Sequence, residues 1–148
     1  MKLLDEARLT ASILAARAAQ YASRITGRGG GSTVPGVISR RVYPKVLYSI
    51  SRRLPRGSVA ITGTNGKTTT TRMVGRIFSA AGIRAVNNST GANLVTGVTA
   101  AVVSDASVSG RPSSQIGLFE VDEASVPRVA AEAELSTLAI LNLFRDQL

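Results

Sequence analysis

The chain has 148 residues, a net charge of +9, 44% hydrophobic and 18% charged residues, which is about one folded domain and excludes collagen-like and wholly disordered readings. It contains no cysteine and no histidine, so disulfides, Cys/His zinc sites and His-activated nucleophiles are excluded and any chemistry falls to Lys, Thr, Ser, Asn and carboxylates. The charge is uneven: eleven basic residues face two acidic ones up to Gly57 and seven face seven from Ser58 onward, so the whole excess belongs to the first part.

Leu3 to Ile25 reads as an amphipathic helix, with Leu9, Ile13, Ala16 and Ile25 apolar and Arg8, Arg17 and Arg24 interspersed. Five glycines and a proline in TGRGGGSTVPG, Thr26 to Gly36, break that pattern, and a second basic helical segment follows, interrupted at Pro44. Together these predict a basic helical arm over residues 1–57. No run approaches the ~18 apolar residues of a membrane span. Asp5 and Glu6 stand where a secretory leader would need an apolar run. The expected location is the cytoplasm, including peripheral contact with the inner membrane face.

From Ser58 the texture changes. SVAITG is a β-branched run, a Gly-rich turn follows, and KTTTTRMVGRIFSAAG repeats at helical spacing up to a stop at Gly82. IRAVNN predicts a strand, STGAN a loop, and LVTGVTAAVV a helix or a buried strand, of which helix is preferred. QIGLFEVDE predicts a strand, EASVPRVAAEAEL a helix and STLAILNLF a last strand. Alternation of this kind implies an α/β fold, a parallel sheet covered on both faces in three layers, with ligands at the carboxyl ends of the strands. Nothing after Leu148 covers the last strand, so the chain is expected to be the front part of a longer protein.

The most informative stretch is Ile61-Thr62-Gly63-Thr64-Asn65-Gly66-Lys67-Thr68-Thr69-Thr70, between a predicted strand and a predicted helix. Gly63 and Gly66 allow a tight turn whose N–H groups approach an anion at the helix N-terminus. Lys67 reaches the β and γ phosphates of a nucleotide, and the Thr68 hydroxyl is placed for Mg²⁺. Ile61 stands where the strict phosphate-loop pattern has glycine, so the loop is a shortened variant. Such a metal takes a further carboxylate from a nearby strand end. Period-two alternation puts Glu120 and Asp122 on one face, so either can serve, while Asp122 and Glu123 also suit the first turn of the next helix.

On these residues the chain resembles the Mur ligase superfamily, and within it the MurT-type subunits of lipid II isoglutaminyl synthases. TGTNGKTTTTRM, Thr62 to Met73, is similar to the superfamily's ATP loop, and FEVDEA, Phe119 to Ala124, to its Mg²⁺ segment. The resemblance to the MurT type is carried by TGRGGGSTVPG, by NNSTGANLVTG at Asn87 to Gly97, and by LNLFRDQL at Leu141 to Leu148. It implies that residues 58–148 are the first part of an ATP-binding central domain, and an ATP- and Mg²⁺-dependent ligase that phosphorylates the α-carboxylate of D-glutamate in the lipid II stem peptide. Ammonia from a glutaminase subunit, GatD, then gives D-isoglutamine. Carried over, Gly63, Thr64, Asn65, Gly66, Lys67, Thr68 and Thr69 hold the triphosphate, with Lys67 catalytic. Thr68 and Glu120 hold the metal, and Asn142 and Gln147 line the same cleft. A histidine stands at the position of Gln147 in related ligases, which puts a second metal site in doubt. The family's four-cysteine zinc ribbon and C-terminal domain belong to later parts, so this stretch alone is expected to be inactive.

The arm residues Arg24, Arg28, Arg40, Arg41, Lys45, Arg52, Arg53 and Arg56 can meet the lipid II pyrophosphate, an anionic membrane, a partner subunit or simply water. GRGGGS reads equally as an anion nest or a hinge. Competing readings are another Mur ligase or folylpolyglutamate synthase-like amide ligase, a noncatalytic nucleotide-sensing domain, and a nucleic-acid-binding module. The last has only charge in its favour, since aromatics are 4% and stacking platforms are scarce.

Overall fold

The computed structural model describes residues 3–25, 33–88 and 94–143. Residues 26–32 with Arg28, residues 89–93, Gln147 and the side chain of Arg24 lie outside the described residues. Three helices come first: α1 (Leu3–Ile25), α2 (Val34–Val42) and α3 (Val46–Ser51). Pro44 falls in the break between α2 and α3, where its missing N–H and fixed φ end a helix. Then strands and helices alternate: β1 (Ser58–Thr62), α4 (Lys67–Ala80), β2 (Ala85–Asn87), α5 (Val95–Asp105), β3 (Ile116–Glu120), a 3₁₀ turn at Glu123–Ser125, α6 (Val126–Ala133) and β4 (Leu135–Ile140). Gly82, with φ of +71°, follows the end of α4, and the ambiguous LVTGVTAAVV is helical.

The four strands form one all-parallel sheet in the order β2-β3-β1-β4. Parallel strands need crossovers, and the intervening helices supply them on both faces. Alternation along β3 divides the layers: Leu118 faces Gly75 of α4, whereas Phe119 joins the main core of α1, α3, α5 and α6. β3 is buried throughout and reads as a continuous apolar run up to Glu120, the expected pattern for a central parallel strand.

That core draws on both sides of residue 57. Leu9, Ile13 and Ala16 of α1 and Leu47 and Ile50 of α3 are fully buried with Val98 of α5, Phe119 of β3 and Val129 of α6. The basic arm is also tied in by charge. Arg40 makes a two-pronged pair with Glu132 of α6, Arg53 pairs with Glu6 at 2.8 Å and donates to Ser109 O, and Arg17 donates to Ala106 O. Arg40 and Arg53, two of the residues considered for outside anions, are therefore engaged within the fold. Arg52 lies 5.6 Å from the centre of the Tyr48 ring.

Candidate functional site: a phosphate loop with a carboxylate

The loop leaves β1 at Thr62 and enters α4 at Lys67. Gly63 and Gly66 both have positive φ, +142° and +85°, which only glycine adopts without strain. A Cβ on Gly63 would also stand 2.9 Å from the Asn142 carbonyl oxygen. Asn142, just beyond β4, fixes the loop from below. Its carbonyl oxygen accepts the Thr64 N–H, its Oδ1 accepts the Asn65 N–H at 2.9 Å and its Nδ2 donates to Asn65 O at 3.0 Å. The carboxamide expected in the cleft is thus engaged with loop backbone.

The first backbone bond of α4 runs from Thr70 N–H to Gly66 O, so the N–H groups of Gly66, Lys67, Thr68 and Thr69 are left without helical partners. They border a cradle of about 240 Å³ whose wall also includes Thr64, Asn65 and Glu120. An N-terminal helix end of this kind favours an anion through both its free donors and its dipole.

Lys67 crosses the loop. Its ammonium donates to Gly63 O and, at 3.4 Å, to Thr64 O, and carboxylates of Asp122 and Glu123 stand 3.8 and 3.9 Å away. The Glu123 carboxyl is held below its ordinary value by its own backbone N–H, with Thr64 and Lys67 adding to the effect. β3 ends at Glu120, so Asp122 falls outside the strand alternation that put both acids on one face. Asp122 instead directly precedes the 3₁₀ turn, and Glu123 begins it.

Glu120 is 8% exposed and accepts a hydrogen bond from the Thr68 hydroxyl at 2.9 Å. The two residues expected to hold a metal, 52 positions apart, therefore meet at the cradle. Sequence reasoning missed what holds Glu120 there. Asn88, buried at the end of β2, accepts the Glu120 N–H at 2.9 Å through Oδ1 and donates to the Glu120 carbonyl at 2.7 Å through Nδ2. The available signal was an asparagine directly following an apolar strand that runs parallel to β3. Among the described residues no three His, Cys, Asp or Glu side chains come together as a metal cluster. A hard cation here would draw on Thr68 and Glu120 and complete its shell with phosphate and water oxygens, the usual habit of Mg²⁺.

Residues 61–139 match the Mur ligase middle domain family. The chain belongs to the Mur ligase family. Its four-stranded all-parallel sheet with helices is consistent with the fold of a Mur ligase middle domain. Over 133 residues, 90% of the chain, it is 38% identical to the lipid II isoglutaminyl synthase (glutamine-hydrolyzing) subunit MurT of Staphylococcus aureus N315. Over 139 residues it is 32% identical to the protein of the same name from Streptococcus pneumoniae R6. It spans only 29% and 30% of those two relatives. A shorter Mur ligase match, 53% identity over 49 residues and 31% of the chain, is to the UDP-N-acetylmuramoylalanine–D-glutamate ligase of Geobacter metallireducens, of which 11% is covered. No described helix is long and apolar enough to cross a membrane.

Proposed function

We propose that this Mur ligase domain is the phosphate-binding part of an ATP-dependent amide ligase, the MurT-type subunit of a lipid II isoglutaminyl synthase. The contact between Thr68 and Glu120 beside Lys67 carries this reading. It supplies a cation, a hydroxyl and a buried carboxylate around one anion cradle, the set that phosphoryl transfer needs when positioning and charge neutralisation do most of the catalysis. Similarity over 90% of the chain to MurT proteins, against 31% to the D-glutamate ligase, supports the MurT type over other Mur ligases. The pairing of Arg17, Arg40 and Arg53 within the fold weakens the nucleic-acid alternative.

In this reading Gly63, Thr64, Asn65 and Gly66 shape the loop, the N–H groups of Gly66 to Thr69 receive the triphosphate, and Lys67 exchanges its carbonyl contacts for the β and γ phosphates. Asn142 acts by holding the loop. Thr68 and Glu120 would hold Mg²⁺, which neutralises phosphate charge when bound. The γ-phosphoryl group passes to the α-carboxylate of D-glutamate in the lipid II stem peptide, giving an acyl phosphate and ADP. Ammonia released from glutamine by a glutaminase partner, GatD, then attacks the acyl carbon, phosphate leaves, and D-isoglutamine results. Residues 58–148 are the first part of the central domain, residues 1–57 the arm before it, and the remaining catalytic parts lie elsewhere in the full-length protein.

The test is ATP-dependent amidation of lipid II by the full-length complex. Lys67→Ala and Glu120→Ala should each abolish turnover while the far-UV circular dichroism stays native. Unchanged turnover in either folded variant removes the proposed role.

A further inference from the structure

A second and larger cleft, about 710 Å³, runs along α4 beside β2 and shares no wall residue with the phosphate-loop cradle. Arg72, Arg76 and Arg84 line it, and no carboxylate does. Arg72 and Arg76 are one helical turn apart and exposed, which brings their side chains about 5–6 Å apart at their bases. Like charges at that spacing destabilise a helix unless something neutralises them. Among the described residues neither makes a hydrogen bond or ion pair, whereas Arg17, Arg40, Arg53 and Arg128 are all engaged. Arg84 is anchored at the other side, its Nε donating to Ser113 O at 3.2 Å and its N–H to Gln115 Oε1 at 3.0 Å.

Thr71 also forms part of the wall, but its side chain is buried and the charge of the cleft comes from the arginines. The rest of the wall includes Gly75, Gly82 and Ala85 and no aromatic ring, so a ligand is recognised there by charge and not by stacking of a base. Planar guanidinium forks match phosphate oxygens in pairs.

We propose that this cleft is a second anion site, which binds a pyrophosphate group independently of the nucleotide cradle. The shared chemistry has two sources, a pyrophosphate carried on a polyprenyl lipid and a free pyrophosphate or nucleoside diphosphate. The inference stands apart from the ligase reading, since it requires only that the cleft be charged and accessible.

The experiment is calorimetric titration of inorganic pyrophosphate into the full-length protein carrying Lys67→Ala, which silences the phosphate loop. One pyrophosphate site should persist, and adding Arg72→Gln and Arg76→Gln should weaken it at least tenfold. The same two substitutions with Lys67 intact should leave ADP affinity at the loop within twofold. Loss of all pyrophosphate binding in Lys67→Ala, or unchanged affinity in the folded arginine variant, overturns the proposal. Competition identifies the source: displacement by a polyprenyl pyrophosphate in detergent micelles and not by ADP assigns the lipid-borne group, and displacement by ADP assigns the free one. Both side chains are exposed, so circular dichroism of the glutamine variant should match the parent.

Discussion

Asn88 holds the Glu120 backbone on both sides of its Cα, accepting the N–H at 2.9 Å and donating to the carbonyl at 2.7 Å. The Glu120 carboxylate accepts the Thr68 hydroxyl. Asn142 treats Asn65 in the same way across the sheet. Two carboxamides at strand ends thus fix the two halves of the site, one the loop and the other the carboxylate.

Asn88→Ala should destabilise the fold as well as the site. It leaves a buried N–H and C=O without their partner, which costs about 1–3 kcal/mol, or roughly 2–10 °C in thermal midpoint for a chain of this size. Scanning calorimetry with and without Mg²⁺-ATP measures both effects. A midpoint within 1 °C of the parent contradicts the clamp.

Asn142→Ala removes a partly exposed clamp, so its stability cost should be smaller, about 1 kcal/mol. Its main effect should be on nucleotide affinity, which we expect to fall at least tenfold as the loop loses its fixed shape. Titration of ATP into the full-length protein decides the matter, and equal losses of stability in the Asn88 and Asn142 variants would argue against separate roles.

Glu120→Gln should retain the Thr68 contact through a neutral oxygen and lose the charge. Nucleotide binding should then need at least tenfold more Mg²⁺, with the metal-free affinity little changed. An unaltered Mg²⁺ dependence would remove Glu120 from the metal site.

Gly63→Ala should lower both stability and nucleotide affinity. The residue would be forced to φ of +142° and its Cβ to 2.9 Å from the Asn142 carbonyl, a strain of about 1–3 kcal/mol. Urea unfolding of the full-length protein reads the first effect, and a midpoint equal to that of the parent contradicts it.

The pair between Arg40 and Glu132 gives the fold an acid limb. Burial raises the Glu132 carboxyl, but hydrogen bonds and charge from Arg40 and Arg128 outweigh it and leave it below its ordinary 4.5. A depressed carboxylate contributes its full stability above the unfolded value and loses it as pH falls through the folded one. Stability should therefore drop below about pH 4.5, less steeply in Glu132→Gln, which should cost about 1 kcal/mol at pH 7. Thermal midpoints from pH 7 to 3 measure the difference, and parallel curves for the two proteins contradict it.

Much of this was legible in advance. The glycines, Lys67 and Thr68 lie within one short stretch whose spacing already encodes strand, turn and helix, and Glu120 stood out as an acid inside an apolar run. The two clamps were harder to read, because each joins residues far apart in sequence: Asn88 with Glu120 across neighbouring strands, and Asn142 with Asn65 through the order β2-β3-β1-β4. Asn142 entered as a cleft residue by resemblance alone, with no hint that its amide would be occupied by backbone. Asp122 was placed with Glu120 by extending the strand alternation two residues too far. The charge of the arm was plain, but a count cannot tell Arg40 and Arg53, committed to carboxylates, from Arg72 and Arg76, which stand in the neutral part of the chain.

Because Asn142 lies 77 positions after Asn65, the loop's shape cannot be established during synthesis until nearly the whole stretch has emerged from the ribosome. Closing such a distance is entropically slow. An arrested nascent chain ending before β4 would therefore carry every residue of the TGTNGKT sequence and still lack the contacts that give it shape.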